Sequence, residues 1–419
     1  MALALMRIFA INRFVVLPSV CGVLLLTGML VAAPPAAASD ALIAELEAPL
    51  PKISPEIDLV AALRGVLLTD EPDLTRAGKR VLSNELSDRE QKSLRQVQER
   101  LSEAVRSLDC WWQHGLPKEH LCADELQLLA TLAEFDPVLA RYEKAIARSQ
   151  SSVSMDSWRE LMDLNRLVFA RIGWLASRGD RDKALRLWQQ NQAALARLRK
   201  AGGIAVPSIM VTLSENYSLE ALESLLARAP TLAKEDRKVI DELLADRAWT
   251  RERLIADLRA QYWLVADLAR SQLKGDDELF VSEVLKRQVA YSVDVLPLLL
   301  TREDDFQSAR ALHRSIECPN STVTSCWKQK TSDRRYAEFY FSSLSIEGVA
   351  SAQRRDVAAH LLRLRLQWDA VGRHAAAFAK LVEDFNRASP DSRVILDPEQ
   401  ASIRFEDPSR SRLVVRLPR

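Results

Sequence analysis

The sequence contains little glycine: 12 of its 419 residues, less than half of the roughly 7% that is usual in proteins. A β-rich chain of this length would need many more glycines, because tight turns often require backbone conformations that only glycine adopts easily. The scarcity therefore predicts an all-α body. Hydrophobic residues make up 48% of the chain and charged residues 27%, which is an ordinary globular balance.

The chain also lacks an excess of charge of either sign. It has 58 Lys and Arg residues against 57 Asp and Glu residues. Proteins that bind nucleic acids neutralise backbone phosphates with clustered basic side chains. We therefore expect no nucleic-acid partner.

Motifs for catalysis and for cofactor binding are missing from the sequence. It contains no glycine-rich phosphate loop and no G-x-S-x-G, H-E-x-x-H or C-x-x-C pattern, so we expect no cofactor and no metal ion. Carboxylates on predicted helices, such as Glu215, Glu252 and Glu283, could serve a hydrolase that acts on cell-wall material. Such an enzyme needs two groups of different proton affinity in one cleft, and the linear sequence does not place two of them together.

Residues 1–38 have the features of a targeting segment. Arg7 and Arg13 form a basic flank, an uncharged apolar run extends from Phe14 to Ala33, and three alanines end at Ala38. This pattern predicts a signal peptide that is cleaved before Ser39. The alternative is a retained inner-membrane anchor, because about twenty apolar residues can cross a bilayer. Both interpretations place the rest of the chain in the periplasm.

After this segment we predict a linker over residues 39–53, a helical body over 54–390 and a β tail over 391–419 that packs on the body. Ser54 and Pro55 suit the first turn of the first helix, and Ser87 with Glu90 forms a capping-box pattern. In the tail, short β-type runs at 394–396, 403–405 and 413–415 predict a β-hairpin or a three-stranded antiparallel sheet.

The centre of the chain, residues 163–200, predicts two antiparallel helices joined by a tight turn. Apolar residues recur at three- and four-residue spacing on both sides of Gly179 and Asp180. Gly179 can end the first helix in the left-handed conformation, and Asp180 can cap the second. The spacing of the tryptophans predicts that Trp174 and Trp188 are buried between helices.

Four cysteines follow the targeting segment: Cys110, Cys122, Cys318 and Cys326. An even number in an exported chain suggests disulfides. We favour the sequential pairs, Cys110–Cys122 and Cys318–Cys326, although two other pairings are possible. Alternatively, Cys110, His114, His120 and Cys122 could bind zinc, but their spacing is not that of a usual zinc finger. Beside Cys110, Trp111 and Trp112 are the candidates for an exposed binding surface.

Two resemblances bear on the fold. The central turn resembles one tetratricopeptide repeat, on the residues Leu175, Gly179, Asp180, Ala184, Leu185 and Trp188. Over most of its length, the chain resembles exported all-helical proteobacterial proteins without assigned function. The residues that carry this second likeness are Cys110 and Cys122, Leu139-Ala140-Arg141-Tyr142, Gly179-Asp180, Gly372-Arg373, Leu381-Val382 and Leu396-Asp397-Pro398. The second resemblance implies export and an all-helical fold, and it carries over no catalytic residue.

Stacked helical hairpins form extended grooves that accept partners without special chemistry. We therefore expect a non-catalytic periplasmic or envelope-associated protein that binds another envelope protein or a peptide. Its contact with the membrane would be limited to the N-terminal segment, if that segment is retained.

The cysteine pairing can be tested directly. Peptide mapping of the exported protein without reductant should yield peptides linked through Cys110–Cys122 and through Cys318–Cys326. Free thiols at all four positions together with bound zinc would contradict the disulfide interpretation and favour the metal site.

Overall fold

A computed structural model describes residues 44–113, 122–153, 159–203, 205–228, 232–248, 250–272, 336–388, 393–406 and 413–417. All of them belong to one compact unit, Asp40–Arg419. The targeting segment 1–38, His114, His120, Glu283, Cys318 and Cys326 lie outside the described residues.

The described part of the chain is all-α with a small C-terminal sheet, as the sequence predicts. Its α-helices, in chain order, are α1 (Leu59–Gly65), α2 (Leu74–Leu82), α3 (Asp88–Ala104), α4 (Glu125–Glu134), α5 (Asp136–Ile146), α6 (Arg159–Ser177), α7 (Arg181–Ala201), α8 (Ala205–Arg228), α9 (Lys234–Ala245), α10 (Arg251–Gln272), α11 (Tyr336–Ala370) and α12 (Ala375–Ala388). Across the described ranges, none of these helices is both long and apolar enough to cross a membrane.

Helix starts follow local capping chemistry. The predicted capping box of α3 is confirmed: the Ser87 hydroxyl accepts from the Glu90 backbone N–H, and the Glu90 carboxylate accepts from the Ser87 N–H. The predicted start at Ser54 is wrong, because residues 55–57 form a turn and α1 begins at Leu59.

Asp58 caps α1 instead. Its carboxylate accepts from the Val60 N–H at 3.0 Å and from the Ser152 N–H at 2.8 Å, which also fixes the loop after α5.

Helix α1 and helix α2 cross at backbone contact. A Cβ atom added at Gly78 would lie 1.7 Å from the carbonyl oxygen of Ala61, and one added at Gly65 would lie 2.5 Å from that of Leu74. Both distances are far below a normal contact, so the crossing requires the absence of a side chain at these two glycines.

Helix α8 lies at the centre of the molecule and packs against α6, α7, α10, α11 and the last strand of the sheet. Its buried residues include polar side chains as well as leucines. The buried polar residues of α8 are Ser208, Thr212, Ser214, Glu215, Ser218, Glu223 and Ser224.

The central hairpin is formed by α6 and α7. Gly179 adopts the predicted left-handed conformation, with φ of 84°. Asp180 precedes α7 but makes no capping hydrogen bond with its side chain, because its carboxylate accepts from Lys183 Nζ at 2.6 Å. Trp188 is fully buried, as predicted. Trp174 is only half-buried, contrary to the prediction, since its indole N–H donates to the exposed Glu125 carboxylate at 3.2 Å.

The sheet forms from three short strands, β1 (Val394–Asp397), β2 (Ser402–Phe405) and β3 (Val414–Arg416), in antiparallel order β1-β2-β3. Helix contacts hold it on the body. The Arg416 N–H donates to Glu223 of α8 at 3.2 Å, and Arg365 of α11 donates to the Arg416 carbonyl at 3.1 Å.

Part of the expected linker is packed rather than free. Residues 44–48 lie against α10, where Arg259 donates to the Glu45 carbonyl at 2.8 Å and Trp263 donates to the Ala48 carbonyl at 2.9 Å. Leu46 between them is 1% exposed. The ordered body therefore begins before residue 54.

We expect the Trp188→Ala substitution to lower the free energy of unfolding by roughly 3–5 kcal/mol, because it removes a fully buried large side chain. Trp188 also donates its indole N–H to the Ser218 carbonyl at 2.8 Å. The half-buried Trp174 supplies a matched control, and Trp174→Ala should lower the free energy of unfolding by less. Denaturant unfolding of both variants measures the difference, and equal losses would contradict the packing described above.

Candidate functional site

Residues Asp109 to Gln113, here called the double-tryptophan segment, pack between α6 and α8. Trp112 is 1% exposed, and its ring centroid lies 5.4 Å from the rings of both Phe169 and Tyr217. Trp111 is half-buried, and its indole N–H donates to the Ala123 carbonyl at 3.1 Å. The prediction that these tryptophans form an exposed pair is wrong, because Trp112 fills an apolar site between two helices.

The backbone of this segment touches α6 at Gly173. A Cβ atom at this position would lie 1.9 Å from the carbonyl oxygen of Trp111. Any side chain larger than hydrogen would push the segment away from the helix, so this glycine determines how closely Trp112 approaches the core.

Cys110 and Cys122 lie at disulfide distance, with their Cα atoms 5.8 Å apart, as in ordinary protein disulfides. In the described ranges, no group of three or more His, Cys, Asp and Glu residues is arranged to hold a metal ion. At this Cα separation the two cysteines suit a covalent crosslink between the double-tryptophan segment and the start of α4.

The double-tryptophan segment is also held by charge. Asp109, which is 9% exposed, accepts two hydrogen bonds from the Arg166 guanidinium, at 2.9 and 2.5 Å. Such a paired contact fixes the orientation of both groups, and it places a positive charge of α6 against this turn.

Oε2 of Glu220, on α8, is buried and has no hydrogen-bond partner in the part of the chain that the structure describes. Burial raises the pKa of Glu220 to about 7. The Gln113 amide opposes this rise in pKa, and the negative charges of Asp109 and Glu223 add to it. Sequence reasoning missed Glu220, because it occurs in a helix without a polar face.

Glu215, proposed above as a candidate catalytic carboxylate, is fully buried. Both of its oxygens accept from Arg199 Nε at 3.0 Å, and Arg355 Nε lies 3.7 Å from Oε1. Arg199 also donates to Asp246 at 2.8 Å. We call Glu215, Arg199, Arg355 and Asp246 the ion cluster, and it joins α7, α8 and α11 to the residue that follows α9.

A second buried pair borders the ion cluster. Arg253 lies 3.5 Å from Asp257 and donates to the hydroxyls of Ser208 at 2.9 Å and Thr212 at 2.8 Å. Burial raises the pKa of Asp257, whereas the charge of Arg253 and hydrogen bonds from Ser208 and Gly203 lower it. These polar groups bind one another and tie α8 to α10.

The candidate carboxylates do not form a catalytic pair within the described residues. Glu215 is fully buried, and its carboxylate oxygens contact Arg199 and Arg355. Glu252 is exposed at the start of α10, and Glu283 lies outside the described residues. Glu215 and Glu252 therefore lie in different environments and do not share a cleft.

Two cavities in the described part of the chain are small. One of about 40 Å³ lies among α1, α2, α3 and α6, with Leu63, Leu94 and Leu164 in its wall and Glu160 bonded to Gln98 in its lining. A second, of about 10 Å³, adjoins Arg199 and Gly202. Pockets for drug-sized ligands typically measure roughly 300–1,000 Å³, so neither suits such a ligand.

Helix α4, which follows Cys122, exposes apolar side chains. Leu126 is 79% exposed and Leu129 37%, whereas Leu128 and Leu132 face the core. The half-buried Trp174 borders the start of this helix through its bond to Glu125. We call Leu126 and Leu129, with Trp174 beside them, the α4 face.

Comparisons with models of protein families, with curated proteins and with solved structures gave no match.

The ion cluster predicts a large difference between two neutralising substitutions. Glu215→Gln leaves Arg199 and Arg355 without their central negative charge, and it should lower the free energy of unfolding by roughly 3–5 kcal/mol. Glu252→Gln changes an exposed residue and should cost less than about 0.5 kcal/mol. Urea unfolding of both variants measures the difference, and a Glu215→Gln protein of unchanged stability would contradict the structural role of the cluster.

Proposed function

We propose that this protein is exported, that it acts in the periplasm or on the periplasmic side of the inner membrane, and that it binds a protein or peptide partner without catalysis. Export is supported by the basic flank and apolar run of residues 1–38. The cysteine pair Cys110–Cys122 at disulfide distance also supports it, because disulfides persist in oxidising compartments.

The α4 face carries the proposal of partner binding. An exposed leucine alone is common on protein surfaces, but here Leu126 and Leu129 adjoin each other on one helix, and a half-buried indole borders that helix. Neighbouring apolar side chains of this kind are typical of protein–protein contacts, in which a helix lies against a complementary apolar surface.

Charged residues surround the apolar side chains of α4. Glu125 at its start lies 3.9 Å from Arg178, and Glu134 at its end accepts from Arg100 Nε at 3.0 Å. An apolar centre with a polar border is the usual arrangement of a protein–protein interface. Both charge signs are present, so we expect association to depend only weakly on salt.

The enzyme alternative has less support. The hydrolase interpretation needs two carboxylates in one cleft, but Glu215 is buried among arginines and Glu252 is exposed. The cavities described above are also far smaller than a cell-wall fragment.

A single charge on the α4 face tests the proposal. The Leu126→Glu protein should keep its melting temperature, because Leu126 is 79% exposed. Its dissociation constant for the partner should rise roughly tenfold, as expected for a residue that is buried on binding. The measurement is affinity capture from envelope extracts with the full chain recovered from the envelope fraction, followed by titration of the captured partner.

Val239→Glu is the matched control, since Val239 is 40% exposed on α9, away from α4 in the chain. Capture of the same partner by the original and the Val239→Glu proteins, with loss in Leu126→Glu, would support the proposal. Equal capture by all three would contradict the assignment of the α4 face. Hydrolysis of cell-wall fragments that is abolished by Glu252→Gln in a folded protein would favour the enzyme instead.

A further inference from the structure

Helix α12 packs on α11 through two ring contacts. Trp368 meets Phe378 edge to face, with ring centroids 5.1 Å apart. His360 stacks on Phe385, with ring centroids 4.3 Å apart and an angle of 26° between the ring planes. The first contact does not depend on a proton. The second contains an imidazole, the side chain whose ordinary pKa, about 6.5, lies closest to neutral pH. The packing of these two helices therefore includes a group whose charge can change under mild conditions.

The stacked imidazole is in a poor position to carry a charge. Its Nε2 atom is buried and has no hydrogen-bond partner in the described part of the chain. In a neutral ring this nitrogen can be a bare acceptor, whereas in the cation it is a charged donor. A charged donor that is buried and bonds nothing is far less stable than an unbonded neutral acceptor. The surroundings of Nε2 therefore favour the neutral ring.

The charges on α11 and α9 near this contact do not compensate a positive imidazole. Arg363, one turn after His360 on α11, has a like charge that acts on it. The Arg363 guanidinium donates to Asp241 of α9 at 2.8 Å, so the carboxylate on that helix already has a cationic partner. Arg237, one turn before Asp241, is a further positive charge on α9.

Helix α12 and the sheet offer little compensation either. The acidic residues beside Phe385, Glu383 and Asp384, are exposed, and Asp384 pairs with Arg387 at 3.2 Å. The sheet meets α11 through β2 and β3, and the charged residues of these two strands, Arg404 and Arg416, are both basic.

We propose that His360 is a proton-sensitive contact between α11 and α12: the two helices stay packed while the imidazole is neutral, and α12 separates more readily once the ring has gained a proton. The Asn386 side chain, next to Phe385, accepts from the Val394 N–H at 2.7 Å and donates to the Val394 carbonyl at 2.9 Å. Separation of α12 therefore also frees this end of β1. The inference does not depend on the proposed partner.

The direction of the pH effect follows from the proton affinity of His360 in the two states. Burial, together with the charge of Arg363, lowers the pKa of His360 in the packed state. On separation the pKa returns toward the ordinary value of about 6.5 for a histidine. Below about pH 6.5 the separated state therefore binds more protons, so separation becomes more favourable as the pH falls. Above that pH the ring is neutral in both states and the contact is fully present.

Hydrogen exchange of the full chain between about pH 7.5 and pH 5, corrected for the intrinsic pH dependence of exchange, tests this inference. Backbone amides of α12 should lose protection by roughly threefold or more as the pH falls, relative to amides of α7. In His360→Phe, which keeps an aromatic ring and cannot ionise, this loss should be absent. His374→Gln is the matched control, since His374 is exposed just before α12, and it should behave as the unchanged protein does.

Protection of α12 that is independent of pH in the unchanged protein would overturn the inference. A loss that persists in His360→Phe would also overturn it, since another group, such as Glu383, would then be the one that titrates. So would a gain of protection on acidification, because the attraction between the cationic ring and Phe385 would then exceed the cost of burying the charge. If His360→Phe does not fold, His360→Leu decides the matter, because leucine is apolar and cannot ionise.

Discussion

The fold depends on how helix α8 accommodates charge in the interior. Hydrophobic packing has no direction, so leucine-rich helices alone could settle in several registers. A carboxylate that must meet two guanidinium groups allows far fewer arrangements. Glu215 meets Arg199 from α7 and Arg355 from α11, and this requirement relates the first half of the chain to the second. Such a cluster contributes little net stability, because desolvation offsets most of the attraction. We interpret its role as selecting one arrangement of the helices.

Features set by neighbours in the chain could be predicted from the sequence. The capping box of Ser87 and Glu90 and the left-handed Gly179 are examples, because each depends on atoms a few residues away. Asp180 shows the limit of such reasoning: its carboxylate could bond the backbone or Lys183, and the sequence does not decide between the two. The β tail was recognisable because its runs are short, β-branched and separated by turn residues.

The candidate site was less predictable, because distant residues determine it. Trp112 was a candidate for an exposed surface beside Cys110, but Phe169 and Tyr217, far along the chain, enclose it. Glu215 looked like a helix-borne carboxylate, but one of its partners follows 140 residues later. Helix α8 has no exposed residue among those that the structure describes, so its hydrophobic pattern does not predict which way its glutamates point. The Cys110–Cys122 pair was easier to predict, since four cysteines allow only a few pairings.

The few glycines of this chain have a consequence for how it can diverge. Gly78 and Gly173 stand where one backbone touches another, at Ala61 and at Trp111, so even alanine would separate the two segments. Gly179 is different: nothing lies within 4 Å of its missing side chain, and only its backbone angle restricts it. Asparagine tolerates that angle better than other residues do. We therefore expect related sequences to keep Gly78 and Gly173 but to accept asparagine at Gly179. The substitutions seen at each glycine would then show whether it touches another backbone or only forms a turn.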